Sequence, residues 1–188
     1  MSPLVNARFV SLRTAVSGLF AICLLSASAL ISVAQHRAPL EPAIASITTG
    51  RDTLDKVRSL YGQSVERIAG DVRTLCYYVE ADRAYLSVSS LQHEARVRQI
   101  SLTTLADVAP GCQAAKVNGK HLTLLRGLVL GDSMGKVVAV LGPPSRTGKM
   151  PMPNHELVYT DYKIGAALLT LQYERDKLIL AAVDASPE

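Results

Sequence analysis

Two stretches of sequence, 80 residues apart, decide the fold: Asp52-Thr53-Leu54-Asp55-Lys56-Val57-Arg58-Ser59-Leu60-Tyr61-Gly62 and Asp132-Ser133-Met134-Gly135-Lys136-Val137-Val138-Ala139-Val140-Leu141-Gly142. They align without a gap. In each, Thr53 or Ser133 stands where a side-chain oxygen can cap a helix by accepting from backbone N–H groups of the first turn. Each ends in a glycine, Gly62 or Gly142, which suits the left-handed residue that stops a helix. The alignment predicts two short helices of one design.

Apolar residues recur with the helical period in both stretches. They are Leu54, Val57, Leu60 and Tyr61 in the first and Met134, Val137, Val140 and Leu141 in the second. This spacing places one apolar stripe on each helix. Pro143-Pro144 enforces the second helix end, because proline cannot continue a helix.

Each predicted helix is followed by β-rich sequence. Three strands are predicted after the first helix, at 76–80, 84–91 and 97–102, and three after the second, at 157–162, 166–173 and 178–183. The strands are short and separated by polar turns, which is typical of an antiparallel meander. The predicted fold class is therefore α+β, with two tandem repeats that each pack a short helical segment on an antiparallel β-meander.

The repeats define the organisation of the chain. The predicted segments are a signal peptide or N-terminal anchor at 1–34, a tether at 35–46, the first repeat at 47–102, a connecting segment at 103–127 and the second repeat at 128–188. Within the connecting segment, Asn118-Gly119 is a strong signal for a two-residue hairpin turn.

The N-terminus has the pattern of a secretory leader. Arg8 and Arg13 precede an apolar core at 15–25, and Ala27-Ser28-Ala29 fits a signal peptidase site. Cleavage predicts a periplasmic or secreted protein. The alternative is an uncleaved anchor in the inner membrane, because residues 14–35 give 22 uncharged positions and about 20 apolar residues span a bilayer.

Removal of the leader leaves two cysteines, Cys76 and Cys112. An even pair in an oxidising compartment predicts a disulfide. Two buried free thiols are the alternative. Neither cysteine has zinc-ligand spacing to another cysteine or histidine, so no metal and no cofactor is predicted.

Composition excludes several classes of protein. The 188 residues are 48% hydrophobic and 19% charged, which excludes a disordered chain and a multi-span membrane protein. The net charge of +4 is modest, and nothing in the charge balance suggests a nucleic-acid partner.

A short motif in the second repeat resembles a known family. It runs hydrophobic-x-x-Gly, a Ser or Thr cap, Val four residues on and then Leu-Gly-x-Pro. It is carried by Leu128-Val129-Leu130-Gly131-Asp132-Ser133, Val137 and Leu141-Gly142-Pro143-Pro144, and more loosely in the first repeat by Ile47, Gly50, Thr53, Val57 and Gly62. This pattern resembles the BamE/SmpA-OmlA outer-membrane assembly lipoproteins.

Two such units after a signal peptide are similar in arrangement to the β-lactamase inhibitor protein fold. The resemblance implies an envelope assembly factor or an enzyme inhibitor. The chain lacks the lipoprotein cysteine of the first family and the contact-face tryptophan expected of the second.

One motif suggests catalysis. Gly131-Asp132-Ser133-Met134-Gly135 has the G-x-S-x-G spacing of a nucleophile elbow, so a small periplasmic serine hydrolase using Ser133 is an alternative function. The order of a hydrolase triad fails, because His155 is the only histidine after Ser133 and no acid lies between them. Thr53 holds the equivalent position in the first repeat, and a helix cap explains both residues. The chain is therefore predicted not to be an enzyme.

Tyrosines on the predicted strands indicate a recognition surface, because tyrosine supplies rigid, amphipathic contact area at interfaces. Tyr77 and Tyr159 are assigned to the core. The residues predicted to form an open, partner-binding sheet face are Tyr78, Glu80, Tyr85, Ser87, Ser89, His93 and Tyr173. The predicted function is binding of a protein partner in the cell envelope through this face. A membrane-tethered scaffold is the alternative, with membrane contact only if the leader stays uncleaved.

Overall fold

The computed structural model describes residues 40–106, 111–117, 122–152 and 156–185. The leader predicted at 1–34, the Asn118-Gly119 hairpin turn and His155 lie outside these residues. Within them, no helix is both long and apolar enough to cross a membrane.

The two helices form where the sequence predicts them. Helix α1 spans Leu54–Tyr61 and helix α2 spans Met134–Leu141. Thr53 Oγ1 accepts from the Lys56 amide at 3.3 Å, and Ser133 Oγ accepts from the Lys136 amide at 3.2 Å. Both helices end at a glycine with positive φ, 93° at Gly62 and 91° at Gly142. The predicted caps and stops are confirmed.

The described residues contain eleven strands. They are β1 Ala43–Ile44, β2 Ile47–Thr48, β3 Arg67–Ala69, β4 Val72–Val79, β5 Ala84–Leu91, β6 Gln99–Thr103, β7 Gln113–Ala114, β8 Arg146–Pro151, β9 Glu156–Ile164, β10 Ala167–Glu174 and β11 Lys177–Ala185. The six predicted strands correspond to β4, β5, β6, β9, β10 and β11. The α+β class is confirmed, and the sheet is larger than the sequence predicts.

Nine of the strands form one sheet in the order β3-β4-β5-β6-β11-β10-β9-β8, with β7 added beside β4. Neighbours are antiparallel, except that β7 runs parallel to β4. The order is symmetrical about the β6–β11 pair, in which Ser101 lies opposite Ala182. Helix α1 precedes β3–β6 and helix α2 precedes β8–β11.

One side of the sheet is buried against the helices and the β1–β2 hairpin. The side chains that fill this core from the sheet include Leu75, Tyr77, Leu86, Ile100, Leu102, Leu169 and Leu171. In α1, Leu54, Val57 and Tyr61 are buried, but Leu60 is 39% exposed, so the apolar stripe is narrower than predicted. Val137 is the fully buried residue of α2.

The packed body begins within the segment predicted as a tether. Residues 43–48 form the β1–β2 hairpin, and the side chains of Ile44 and Ile47 are fully buried. The Tyr61 hydroxyl donates to the Ala45 carbonyl, which ties α1 to this hairpin.

Asp52 joins three elements at the start of α1. Its carboxylate accepts from the Thr48 amide at 2.8 Å and lies 2.8 Å from Lys56 Nζ. Its carbonyl accepts from the Val97 amide at 2.7 Å, just before β6. The start of the helix is thereby fixed to the last strand of the meander that follows it.

Asp132 makes the corresponding contacts at the start of α2. Its carboxylate accepts from the Val129 amide at 2.9 Å and lies 2.7 Å from Lys136 Nζ. Its carbonyl accepts from the Leu178 amide at 2.9 Å, in β11.

Removing either helix cap is expected to destabilise the fold. Thr53→Ala and Ser133→Ala should each lower the free energy of unfolding by about 1 kcal/mol, because an N–H of the first turn loses its acceptor. Urea unfolding measures the change. Ser59→Ala is the matched control, since Ser59 is an exposed residue inside α1 and alanine favours a helix. An equal loss in Ser59→Ala would contradict the capping role.

The two aspartates are expected to make stability fall in acid. Burial raises the pKa of Asp52, but the hydrogen bonds from Lys56 and the Thr48 amide and the charges of Lys56 and Arg51 outweigh it, so the pKa lies below 3.8. The pKa of Asp132 is lowered in the same way, with burial opposed by Lys136, the Val129 amide and Lys177. A depressed folded pKa adds stability that is complete above the unfolded value and is lost as pH falls through the folded value.

Urea unfolding at a series of pH values from about 5 downward tests this, since the stability begins to be lost below about pH 5 and continues to fall through the folded pKa values. The Asp52→Asn/Asp132→Asn variant keeps an acceptor oxygen but has no charge to titrate. It should start less stable near neutral pH and lose less stability on acidification. An acid dependence equal to that of the wild type would show that other carboxylates are responsible.

Candidate binding face

The side of the sheet opposite the helices carries the candidate site and is called the outer face. Strand β5 shows how the two sides divide. Ala84, Leu86 and Val88 are buried toward the core, whereas the alternate residues Tyr85 and Ser87 are half-buried on the other side. The alternation follows from strand geometry, in which successive side chains point to opposite faces.

Strand pairing arranges the middle of the outer face in three rows that run across the strands. The tyrosine row is Tyr78, Tyr85, Thr103, Leu180, Gln172, Tyr159 and Gly148. The small row is Cys76, Ser87, Ser101, Ala182, Thr170, Asp161 and Arg146. The polar row is Thr74, Ser89, Gln99, Asp184, Leu168 and Lys163. The seven positions of the tyrosine row hold no charged residue.

The structure brings four of the predicted binding residues together. Tyr78 and Tyr85 are paired across β4 and β5, with ring centroids 5.1 Å apart. Ser87 and Ser89 follow on the same side of β5, and the Ser89 hydroxyl lies 2.9 Å from that of Thr74. These residues form the β4–β5 end of the outer face.

Glu80 and His93 flank this group instead of lying on a strand. Glu80 opens the 3-10 turn Glu80–Asp82 directly after β4, and His93 lies in the connection after β5. Both side chains are exposed. They border the outer face at the ends of their strands.

Tyr173 is buried in the core, and its predicted place on the open face is corrected. It is 1% exposed, and its hydroxyl accepts from Thr160 Oγ1 at 3.4 Å. Burial raises the pKa of Tyr173 to about 12. Alternation along β10 gives the outer-face position to Gln172, one residue earlier. The prediction carried the offset of 80 from the helices into the strands, where the spacing differs.

Tyr159 is predicted to lie in the core, and this prediction is wrong, because Tyr159 lies on the outer face. Its ring rests on Gly148 of the edge strand, where an added Cβ would come within 2.3 Å of the ring. The Arg146 guanidinium lies over the same ring, 5.5 Å from its centroid. A glycine inside a strand often marks such a close approach, and this was the signal in the sequence.

The second half of the outer face was not predicted. Its members that the sequence analysis does not name include Thr170, Gln172, Leu180 and Ala182, and Ser101 of β6 is likewise not named in the first half. The signal was present in β11, because Ala181 and Val183 are buried and Leu180 and Ala182 alternate with them. Reading the period of two along residues 178–183 would have placed Leu180 and Ala182 on the outer side.

A disulfide closes one end of the small row, and the predicted pairing of Cys76 with Cys112 is confirmed. Ser87 Oγ lies 3.5 Å from Cys76 Sγ. Cys112 directly precedes β7, which pairs with Tyr77 and Tyr78 of β4. The bond therefore holds the connecting segment against the edge of β4.

Ser133 lies at the start of α2, in the layer that covers the core. Its hydroxyl accepts from the Lys136 amide, and its backbone forms an isolated antiparallel bridge with Lys177. The arrangement is that of a capping serine.

No protein-family model matches this chain, and no curated protein matches its sequence. Among solved structures, the chain is similar to a DUF4309 family protein (YjgB) from Bacillus subtilis, with a TM-score of 0.48 and 17% sequence identity over 75% of this chain and 83% of that chain. It is also similar to a cysteine-rich secretory protein from Staphylococcus aureus, with a TM-score of 0.45 and 11% identity over 72% of this chain and 44% of that chain. Neither likeness identifies a family or a function for this protein.

Loss of the disulfide is expected to destabilise the protein strongly. The bond joins residues 36 positions apart, and the loop-entropy relation gives about 4 kcal/mol for a loop of that length. The Cys76→Ala/Cys112→Ala variant should lose up to this amount in urea unfolding. Reduction of the wild-type protein should give a similar loss, and reductant should not affect the variant. A variant as stable as the oxidised wild type would contradict this account.

Proposed function

We propose that this protein is a non-catalytic exported protein that binds a protein partner through the outer face of its sheet. One observation carries the proposal. The tyrosine row crosses seven strands without a charged residue, on the side of the sheet opposite the helices. Thr103 at its middle is buried, and the other six positions are half-buried. The solvent-facing side of an antiparallel sheet is ordinarily polar. Depletion of charge and enrichment in tyrosine are the marks of an interface core.

The small row next to it forms a shallow depression in the outer face. Ser87, Ser101, Ala182 and Thr170 occupy consecutive strands from β5 to β10. At about 4.8 Å per strand, these short side chains cover a width of roughly 14 Å. The tyrosine row stands beside them with Tyr85 and Tyr159 near its two ends. A partner segment can lie on the low row with its apolar side chains against the tyrosine row.

We also propose that the two halves of the sheet are copies of one helix-and-meander unit, as the repeated sequence predicts. The symmetrical strand order and the matching caps of α1 and α2 support this. If the two halves of the sheet are exchanged by a half-turn about the Ser101–Ala182 pair, each position of the tyrosine row falls on a position of the polar row. The related positions are Tyr78 and Lys163, Tyr85 and Leu168, Thr103 and Asp184, Leu180 and Gln99, Gln172 and Ser89, and Tyr159 and Thr74.

This comparison shows whether the fold itself requires a tyrosine at a given position of the row. At positions equivalent to Tyr78 and Tyr159, the same sheet holds Lys163 and Thr74. The architecture therefore accommodates polar side chains at those positions, and an aromatic ring there is not a requirement of the fold. Because the fold does not require these tyrosines, we attribute their presence on the surface to the binding of a partner.

Export is supported by the leader pattern and by the disulfide, because such bonds persist in oxidising compartments. The resemblance to BamE/SmpA-OmlA units and to the β-lactamase inhibitor protein favours an envelope assembly factor or an enzyme inhibitor. An uncleaved leader would make the same protein a membrane-tethered scaffold with the same binding face. The role of Ser133 as a helix cap supports a non-catalytic function.

A photo-crosslinking residue in place of Tyr85 tests the proposal in cells of the source organism. We expect one discrete protein adduct, because Tyr85 lies in the contact. The same residue in place of Ala139, exposed on α2, should not give that adduct.

Leu180→Lys should abolish the adduct by placing a charge in the tyrosine row. Leu168→Lys is the matched control, since Leu168 holds the equivalent of the Tyr85 position in the polar row and is 38% exposed. Circular dichroism verifies that both variants fold. An adduct that survives Leu180→Lys would show that the tyrosine row is not the contact.

A further inference from the structure

We propose that the bound partner segment lies across the strands with an acidic end over Arg146 and Lys163, at the β8–β9 side of the outer face. The proposal rests on the proposed function and specifies the chemistry and the direction of the partner.

Arg146 and Lys163 place two cations at the β8–β9 side of the outer face. Both are exposed, and no carboxylate among the described residues forms an ion pair with either of them. Asp161 lies opposite Arg146 in the register, but it is 9% exposed and its Oδ1 accepts from Thr170 Oγ1 at 2.8 Å. By contrast, Lys149 on the same edge strand is paired with Glu156 at 2.8 Å. Positive charge therefore lies at this side of the outer face, with Arg146 in the row next to the tyrosine row and Lys163 one row further away.

Arg146 carries a group whose chemistry suits a carboxylate. Its guanidinium lies over the Tyr159 ring, and Gly148 leaves the space in which that ring lies. A guanidinium is a planar fork of N–H groups that can form bidentate hydrogen bonds to a carboxylate. Lys163 follows Asp161 by two residues on the same side of β9, roughly 7 Å along the strand. Together they can receive an acidic terminus or a pair of acidic side chains.

The opposite end of the outer face has different chemistry. Tyr78 and Tyr85 lie there, and the exposed Glu80 follows at the end of β4. From β4 to β8 there are six strand steps, or roughly 29 Å at about 4.8 Å each. An extended segment covers that distance with about nine residues. The face therefore fits a segment of at least that length, apolar in its middle and acidic at the end over β8 and β9.

The probe is a displayed library of random 16-residue peptides, selected on the purified full chain. Enriched peptides are expected to share apolar residues with Asp or Glu at one end. An enriched peptide should bind about tenfold more weakly to Arg146→Glu, a loss in the range of one charge-assisted contact. Lys163→Glu should also weaken binding, and added salt should reduce affinity for the wild type.

Arg96→Glu is the control for charge alone. Arg96 is exposed and its Nη1 donates to the Gly50 carbonyl, on the helix-bearing side of the molecule. It carries the same change in charge and should bind the peptide like the wild type. Arg146→Gln removes the cation without reversing it, and its thermal unfolding shows whether the fold is intact.

The outcomes separate this proposal from the function on which it rests. If Leu180→Lys abolishes peptide binding and Arg146→Glu does not, the binding face stands and the acidic end is overturned. If binding survives both variants, the peptides bind elsewhere and both proposals are overturned. A benzophenone at the acidic end of the peptide should label β8 or β9, and labelling of β4 or β5 instead would overturn the direction. A library without enriched peptides would overturn the commitment to a linear segment.

Discussion

Five backbone pairs between β6 and β11 make the two halves of this protein one sheet. Their register determines every row of the outer face, because Ser101 opposite Ala182 places Thr103 beside Leu180. A slip of one residue would exchange the two sides of β11. Leu180 and Ala182 would then enter the core, while Ala181 and Val183 would come out. The core and the outer face are therefore specified by the same five pairs, and neither can change its register alone.

The sequence predicts those parts of the fold that depend on local chemistry. Helix ends follow from a hydroxyl at Thr53 or Ser133 and a glycine eight residues after the first helical position, all within three turns of chain. The β6–β11 pairing joins residues about 80 positions apart through backbone groups, which leave no pattern in the side chains. Strand β8 was missed for another reason. As an edge strand of Arg146–Pro151 it buries little, so its sequence has no apolar alternation.

The sequence predicts the β4–β5 end of the candidate site but not the β8–β9 end. The two tyrosines assigned to the wrong side, Tyr173 and Tyr159, are explained by the alternation of side chains along a strand. A strand reverses the direction of its side chains at each residue, so a shift of one position moves a tyrosine between core and surface. Tyr173 and Tyr159 were each assigned to the wrong side in this way. Tyr85 lies on the predicted side because the alternation within β5 can be read from that strand alone. Tyr78 shares this side because it pairs with Tyr85.

The backbone bonds from Val97 to Asp52 and from Leu178 to Asp132 have a further meaning for the architecture. In each half they bring the first turn of the helix against the last strand of the meander, so each unit begins and ends at the same place. The last strand of each half also stays at the border of that half, where β6 pairs with β11. The geometry that closes each half is thus also what allows the two halves to share a single sheet.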